Sequence, residues 1–167
     1  QDETAPTMTI ATTLEITPEV TTLAGSGSQG SANGTGTAAA FYLPTDVALD
    51  GSGNMYVADY NNHLIRKITS AGVVTTFAGS GSEGSADGTG TAASFNQPVG
   101  VAVDGSGNVY VADYTNHLIR KITSGGVVTT LAGSGSSGSD DGTGTAASFN
   151  IPSGVAVDGS GNVYVGD

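Results

Sequence analysis

The sequence predicts an all-β protein: a β-propeller built from four-stranded antiparallel blades. The first observation is an internal repeat. The segment that begins at Val20 returns at Val74 and again at Val128, which sets a period of 54 residues. The second observation is composition, because 27 of the 167 residues are glycine and charged residues make up 11%. Such a chain favours tight turns and strands over helices.

Each repeat contains four short apolar segments separated by turn residues. In the best-defined repeat the first strand is predicted at 99–104 and the second at 108–113, with Gly-Ser-Gly at 105–107 as a hairpin turn. The third and fourth strands are predicted at 118–123 and 127–132, each after another polar or glycine-rich turn. The result is a four-stranded antiparallel sheet.

The predicted strands carry small or apolar side chains on both faces, as in Val101-Ala102-Val103 and Val109-Tyr110-Val111. Strands of this kind are covered on both sides, so the sheets must stack on one another. Repeated four-stranded sheets with covered faces favour a radial propeller over a flat solenoid.

A long glycine-rich loop connects one sheet to the next, for example over residues 79–98. Within it, residues 91–95 are the part able to form a helical turn. Phe95 is predicted to anchor the loop between sheets by burying its ring, which stabilises the loop by roughly 2 kcal/mol. Phe41 and Phe149 occupy the equivalent positions.

The repeat divides the chain into blade-sized pieces, three blade-equivalents in all, of which two are complete and one is split between the termini. Residues 1–19 do not repeat and could be a swapped or donated strand. In the N-terminal part of the chain, residues 20–24 are predicted to form a fourth strand and Met8 to Ile16 a third. The predicted boundaries of the repeats are 20–43 for a blade part, 44–97 and 98–151 for two full blades, and 152–167 for a second blade part.

Two seven-residue segments, 62–68 and 116–122, both read Asn-His-Leu-Ile-Arg-Lys-Ile and follow Val-Ala-Asp. In this the chain resembles NHL-repeat β-propeller proteins, in particular the secreted bacterial type. The resemblance implies membership of a fold whose proteins bind protein, peptide or RNA, and in one branch act as a metal-dependent lyase. It implies a fold without specifying a function.

Charge narrows the range of partners. The formal net charge is −11, so a nucleic acid would be repelled, and the basic surface of the RNA-binding branch is absent. No apolar run is long enough to span a bilayer, so membrane insertion is not expected. The chain lacks cysteine and begins at Gln1, as a chain would after removal of a signal peptide. We therefore expect an extracellular protein.

No cofactor or firm metal site is predicted. His63 and His117 occupy the same position in successive repeats, too far apart to share an ion. Asp87, Asp140 and Asp141 are weak calcium candidates on the long loops, since calcium prefers carboxylate oxygens. Asn33 begins an Asn-Gly-Thr sequon and is a candidate for glycosylation.

The sequence also predicts that the chain is not an enzyme. Catalysis requires different residues that converge on one point, whereas nearly identical repeats offer rings of the same residue. Asp59 and Asp113, with the asparagines three residues on, are interpreted as turn caps that bind their own backbone amides.

The function expected from these features is structural. Three blades cannot close a propeller, so we expect self-association through complementary incomplete blades, as a six-bladed dimer or as a filament. A longer tandem array is a further possibility, and the alternative function is an extracellular module that binds protein, peptide or glycan on a propeller face. The residues predicted to form the assembly contacts are Met8, Ile10, Leu14, Ile16, Val20, Leu23, Val155, Val157, Val163 and Val165.

Overall fold

The computed structural model describes residues 18–167, which form short β-strands and single-turn 3-10 helices. None of the helices in this part of the chain is long and apolar enough to cross a membrane. The predicted all-β, antiparallel architecture is confirmed. The strands are β1 (Gly34–Thr35), β2 (Pro44–Leu49), β3 (Met55–Asp59), β4 (Leu64–Ile68), β5 (Val73–Ala78), β6 (Gly88–Thr89), β7 (Pro98–Val103), β8 (Val109–Asp113), β9 (Leu118–Ile122), β10 (Val127–Ala132), β11 (Gly154–Val157) and β12 (Val163–Gly166). The 3-10 turns are Gly36–Ala38, Tyr60–Asn62, Gly90–Ala92, Tyr114–Asn116 and Gly144–Ala146.

The strands form three sheets, here called the first blade (β1–β5), the second blade (β6–β10) and the third blade (β11 and β12). The strand order is β1-β5-β4-β3-β2 in the first and β6-β10-β9-β8-β7 in the second. Each large sheet therefore has five strands where four were predicted. The extra strand comes from the glycine-rich loop, because Gly34–Thr35 pairs with the start of β5 and Gly88–Thr89 pairs with the start of β10.

The blades meet along their first strands and stack face to face. Strand β7 packs against β2 on one side and against β11 on the other. One continuous core lies between the first and second blades, and each blade contributes a different kind of face to it. The first blade contributes Ala48, Tyr56, Ala58, Ile65, Phe77 and Ala78, and the second contributes Ala93, Phe95, Val101, Val103, Val109, Val111, Ile122 and Val128.

The long loop is anchored by Phe95, as predicted, because this ring is fully buried between the first and second blades. The helical turn expected at 91–95 is a 3-10 turn at Gly90–Ala92, after which the chain is extended at Ala93. Phe41 and Phe149 are half-buried, since each lies at a blade with an open face.

The prediction of a fourth strand at 20–24 is wrong for this chain taken alone. Val20 is 98% exposed and no strand forms there, because the described residues provide no neighbouring strand to pair with it. The residue after this segment nonetheless makes the same hydrogen bond as the residue after β5. The Gly25 N–H donates to the Gly36 carbonyl at 3.1 Å, and the Gly79 N–H, which follows β5, donates to the Gly90 carbonyl at 3.1 Å. The third strand predicted from Met8 to Ile16 lies outside the described residues.

Candidate functional site

The Asn-His-Leu turn is built around a buried aspartate at the end of the second strand of each large blade. In the second blade, Asp113 accepts the backbone N–H of Asn96 at 2.8 Å and the Nδ2–H of Asn116 at 2.8 Å. Its Oδ2 also accepts a hydrogen bond from Arg120 Nη1 at 2.9 Å. The carboxylate thus ties the glycine-rich loop to the second and third strands of the blade.

Arg120 is fully buried and its two terminal nitrogens have a complete set of acceptors. Besides Asp113, it donates to Asp87 Oδ1 at 2.8 Å and to the carbonyl oxygens of Ala86 and Ser94 at 3.0 and 3.1 Å. The guanidinium also lies 5.3 Å from the centre of the Phe95 ring, which adds a cation–π contact.

The first blade repeats this arrangement around Arg66. This arginine donates to Asp59 Oδ2 at 2.8 Å and lies 5.2 Å from the centre of the Phe41 ring. Asn33 takes the place of Asp87, and its Oδ1 accepts a hydrogen bond from Arg66 Nη2 at 2.9 Å. Asn33, the glycosylation candidate, is exposed and uses its side-chain oxygen to hold the arginine.

These contacts correct the turn-cap interpretation of Asp59 and Asp113. Both carboxylates are fully buried and bind an arginine seven residues later and a backbone amide 17 residues earlier. Burial raises the pKa of the Asp113 carboxyl, although its hydrogen bonds and the Arg120 charge act in the opposite direction. The signal missed in the sequence was the arginine of the Leu-Ile-Arg-Lys-Ile strand, which recurs at the same position in both repeats.

The two histidines hold neighbouring blades together through their ring nitrogens. His63 Nδ1 accepts the backbone N–H of Gln97 at 3.1 Å, and His117 Nδ1 accepts that of Ile151 at 3.0 Å. Both histidines have left-handed backbone conformations, with φ of 55° and 54°. Each is therefore a link from one blade to the loop that enters the next.

The hairpin between the first two strands of each blade is closed by its own aspartate. Asp50 accepts the backbone N–H groups of Ser52 and Asn54 at 2.9 Å and the Asn54 side-chain N–H at 2.8 Å. The hydrogen bond from the Asn54 side chain is the largest effect that lowers the pKa of Asp50. The same contacts recur at Asp104 and Asp158, so these carboxylates already have protein donors.

The first strands of the three blades, β2, β7 and β11, are here called the inner strands, and they carry the residues that differ most between blades. In the first blade, Thr45 Oγ1 donates to the Val99 carbonyl at 2.9 Å and Asp46 Oδ2 accepts the Val101 N–H at 2.9 Å. The second blade has Gly100 where the first has Asp46, and a Cβ there would lie 2.5 Å from the Ser153 carbonyl oxygen. The contact between the first and second blades thus includes hydrogen bonds from side chains of β2. The contact between the second and third blades instead depends on the absence of a side chain at Gly100.

The three calcium candidates occupy two different environments. Asp87 is paired with Arg120, whereas Asp140 and Asp141 are exposed beside an open groove of about 320 Å³ in the third blade that Asp167 also lines. Across residues 18–167, no three His, Asp or Glu side chains are grouped so that they could hold a metal ion. The candidates therefore do not come together as one site.

The valines predicted as assembly residues in β11 and β12 face the second blade of their own chain. Along β12, half-buried Val163 and Val165 alternate with exposed Tyr164, and β11 packs against β7 and β8. Val155 and Val157 alternate in the same way with exposed Ala156. The outward face of the third blade thus carries Ala156 and Tyr164, in keeping with the two-residue period of a strand, and the role of the valines in assembly stays a prediction.

Comparison with known families supports the resemblance to NHL repeats, whereas the secreted bacterial type stays a prediction. The NHL repeat model matches residues 41–68 and 95–122, which contain strands β2 to β4 of the first blade and β7 to β9 of the second. NHL repeat-containing protein 2 of Gallus gallus is 40% identical over 100 residues, which is 59% of this chain and 14% of that protein. The chain therefore spans a small part of this relative's length.

Solved structures support the propeller fold. A structural genomics protein of unknown function from Bacteroides thetaiotaomicron is 35% identical with a TM-score of 0.63, over 68% of this chain and 29% of that chain. An auxiliary nutrient binding protein from the same organism is 26% identical with a TM-score of 0.64, over 72% of this chain and 34% of that chain. The chain thus spans about a third of these structures.

The prediction that the chain is not an enzyme is wrong. A putative phosphatase from Bacteroides thetaiotaomicron is 26% identical with a TM-score of 0.66, over 77% of this chain and 33% of that chain. A gluconolactonase from Xanthomonas campestris shares the fold at 14% identity and a TM-score of 0.55, over 76% of this chain and 35% of that chain. Nearly identical repeats can still carry different side chains at equivalent positions, as Asp46 in β2 and Gly100 in β7 illustrate.

Proposed function

We propose that this chain, which carries two NHL repeats, is a propeller module that assembles head to tail with a second copy of itself. The contact would join the open face of the first blade to the open face of the third. The observation that carries the proposal is that these two faces have the same chemistry as the two halves of the interface between the first and second blades.

The internal interface joins two unlike surfaces. The first blade offers small and aromatic side chains, represented by Ala58 and Tyr56, and the second offers β-branched residues such as Val109 and Val111. All four are at most 3% exposed, so this pairing excludes water well. An assembly interface with the same pairing would bury its own apolar groups equally well.

The first blade has an outer face, directed away from the second blade, that resembles the β-branched surface of the internal interface. Val47 and Leu49 are 51% and 64% exposed, next to Met55, Val57 and Ile68 on the same face. Exposed apolar residues grouped on one sheet face are typical of an interaction surface. Complete burial of the two exposed side chains would stabilise a complex by roughly 1–2 kcal/mol each.

The third blade has an outer face, directed away from the second blade, that resembles the small and aromatic surface of the internal interface. Ala156 is exposed and Tyr164 is 58% exposed, whereas the equivalent Ala102 and Tyr110 are 8% and 4% exposed in the second blade. A second copy that brings Val47 and Leu49 against Ala156 and Tyr164 would therefore repeat a contact that already exists within the chain. The interface is heterologous, so it generates a ring or a filament.

The test is the mass of the chain in solution as a function of concentration. Sedimentation should show the 16.3 kDa monomer give way to larger species, and Val47→Asp with Leu49→Asp should keep it monomeric. Ser106→Asp, on an exposed hairpin of the second blade, is the matched control and should assemble as the wild type does. A wild-type chain that stays monomeric up to about millimolar concentration would refute the proposal, and electron microscopy would separate rings from filaments.

Salt provides a second readout of the same contact. Each chain carries a net charge of −11, so two copies repel each other, while the proposed interface is apolar. Raising the ionic strength screens this repulsion, and assembly should become stronger between about 20 mM and 500 mM NaCl. Weaker assembly at high salt would point to a contact made by opposite charges instead.

A second candidate function is ligand binding on a propeller face, outside the cell. It is favoured by the similarity to the auxiliary nutrient binding protein and by the blade-specific residues Thr45 and Asp46 on the inner strands. Calorimetry against a panel of peptides and glycans would test it. Binding that survives Val47→Asp with Leu49→Asp would support this function, and a blank panel would count against it.

A further inference from the structure

We propose that Asn33 deamidates within the folded chain, and that the aspartate formed at this position binds Arg66 as Asp87 binds Arg120. The nucleophile is the backbone nitrogen of Gly34, and water is the co-reactant. This inference goes beyond the proposed head-to-tail assembly, because it assigns a modification site in the glycine-rich loop of the first blade.

Asn33 is the asparagine best placed in the sequence for this reaction. Of the nine asparagines, it is the one that precedes a glycine. Deamidation begins when the nitrogen of the following residue attacks the asparagine Cγ, and a side chain on that following residue obstructs the attack. Every other asparagine precedes a residue with a side chain, so Asn33 should react first.

Arg66 activates the Asn33 amide. Its Nη2–H donates to Asn33 Oδ1 at 2.9 Å, and the guanidinium is buried and carries a permanent positive charge. A cationic donor at this oxygen withdraws electrons from Cγ and stabilises the negative charge that develops on Oδ1 during the attack. Among residues 18–167, no group accepts a hydrogen bond from the Nδ2–H of exposed Asn33, so the leaving group is free to depart into solvent.

The backbone around Gly34 requires a glycine and gives its nitrogen access to Asn33. A Cβ at Gly34 would lie 2.9 Å from the Ala38 carbonyl carbon, so a side chain does not fit there. Gly34 belongs to β1, a two-residue strand at the outer edge of the first blade, where it pairs with Val74. A strand this short at a sheet edge opens readily, and opening lets the Gly34 nitrogen turn toward Cγ.

The reaction is balanced as a hydrolysis. The Gly34 nitrogen forms a bond to Asn33 Cγ and loses its proton, while the bond from Cγ to Nδ2 breaks and ammonia leaves with that proton. A cyclic imide, a succinimide, remains. Water then adds to one of its carbonyl carbons, and the ring opens as a proton returns to the Gly34 nitrogen.

The position of Arg66 also selects the product. Water at Cγ gives aspartate with an unchanged backbone, whereas water at the backbone carbonyl of Asn33 gives isoaspartate, which places an additional carbon in the backbone. Arg66 binds the oxygen on Cγ and thereby activates this carbon for the second attack as for the first. An additional backbone carbon would also shift Gly34 out of register with Val74. The folded chain should therefore yield aspartate in excess.

The second blade shows that an aspartate fits at this place. Asp87 is the equivalent residue, and its Oδ1 accepts hydrogen bonds from Arg120 Nη2 at 2.8 Å and from Thr130 Oγ1 at 3.2 Å. The first blade has Arg66 and Thr76 at the equivalent positions. Deamidation therefore converts a neutral acceptor into a carboxylate beside a buried arginine, which strengthens the hydrogen bond.

Mass spectrometry of the ageing chain tests the reaction. The protein is made without glycosylation, since a glycan on Nδ2 would block the attack, and is kept folded at mildly alkaline pH for several weeks. Asn33 should deamidate at least about tenfold faster than any other asparagine, with aspartate in excess over isoaspartate. The matched control is the chain unfolded in urea, where Arg66 no longer binds Asn33 and the share of isoaspartate should rise. An Asn33 that reacts no faster than the other asparagines, or isoaspartate in excess in the folded chain, would overturn the proposal.

Variants test whether the product fits the first blade. Asn33→Asp supplies the product directly and should raise the thermal midpoint by about 1–3 °C, because the new carboxylate pairs with Arg66. Asp87→Asn makes the opposite change in the second blade and should lower the midpoint by a similar amount. Both residues are exposed, so neither change should impair folding. A lower midpoint for Asn33→Asp would show that the first blade does not accept the carboxylate, and the proposed ion pair would be wrong.

These tests are independent of the test of assembly. Asn33 lies beside β1, and β1 and β2 are opposite edges of the first blade. Val47→Asp with Leu49→Asp, both in β2, should therefore leave the rate of deamidation unchanged within about twofold. Raising NaCl from about 20 mM to 500 mM should reduce the gain in thermal midpoint of Asn33→Asp, because salt screens an exposed ion pair. A gain that does not change with salt would contradict the ion pair with Arg66.

Discussion

The second and third blades have nearly the same sequence over their first two strands and very different surroundings. Residues 98–113 and 152–167 differ at two positions, Val99 against Ser153 and Ala112 against Gly166. Yet Tyr110 is 4% exposed while Tyr164 is 58% exposed. The local sequence therefore forms the hairpin, whereas burial depends on whether a neighbouring strand or blade is present.

The largest expected effect comes from the buried ion pair. Arg120→Gln should lower the free energy of unfolding by about 3–5 kcal/mol, because it leaves Asp113 buried without its partner. Asp167→Asn, at the equivalent place in the third blade, should change it by less than about 0.5 kcal/mol, since Asp167 is exposed. Urea unfolding measures both.

A double substitution sharpens this prediction. Arg120→Gln combined with Asp113→Asn should be less destabilising than the sum of the two single changes, because the second change removes the unpaired charge. Additive effects would indicate that the arginine stabilises the blade through packing on Phe95 rather than through the ion pair.

A smaller effect is expected at a glycine on the inner strand. Gly100→Ala should lower the free energy of unfolding by about 1–3 kcal/mol, because its Cβ would lie 2.5 Å from the Ser153 carbonyl oxygen. The matched change Gly154→Ala should be nearly neutral, since its nearest atoms beyond the chain neighbours are 3.9 Å away. Equal effects on the thermal midpoint would mean that the second and third blades do not meet as closely as described.

The smallest effect concerns pH, and here the blades should behave alike. Hydrogen bonds from the side chains of Asn54 and Asn162 are the largest effects that lower the pKa of Asp50 and Asp158. An aspartate whose pKa is lowered by folding stabilises the fold above its unfolded pKa of about 4, and this contribution is lost as the pH falls through the folded value.

The corresponding measurement is the thermal midpoint between pH 7 and pH 2. Asp50→Asn and Asp158→Asn should each lower the midpoint at pH 7, and the difference from wild type should shrink as the pH falls below about 4. A difference that does not vary with pH would show that the hairpin needs the shape of this side chain but not its charge.

Much of the fold could be predicted from the sequence because strands and turns depend on residues that are close together in the chain. The glycine at 107, with φ of 78°, closes the hairpin between β7 and β8, as the Gly-Ser-Gly turn at 105–107 predicts. The site was harder to predict. Arg66 and Arg120 bind residues 33 and 34 positions earlier as well as a nearby aspartate, and no local pattern in the strand reveals such distant partners.

The sequence by itself determined the period, the hairpins, the positions of the turns and the resemblance to NHL repeats, because all of these depend on residues close together in the chain. The tertiary structure alone decided which faces are covered. Val111 and Val165 are the same residue in nearly the same local sequence, but Val111 is fully buried between blades and Val165 is half-buried. The reason is physical: burial is a property of neighbours in space, and Val165 lies beside a free strand edge where Val111 has β9.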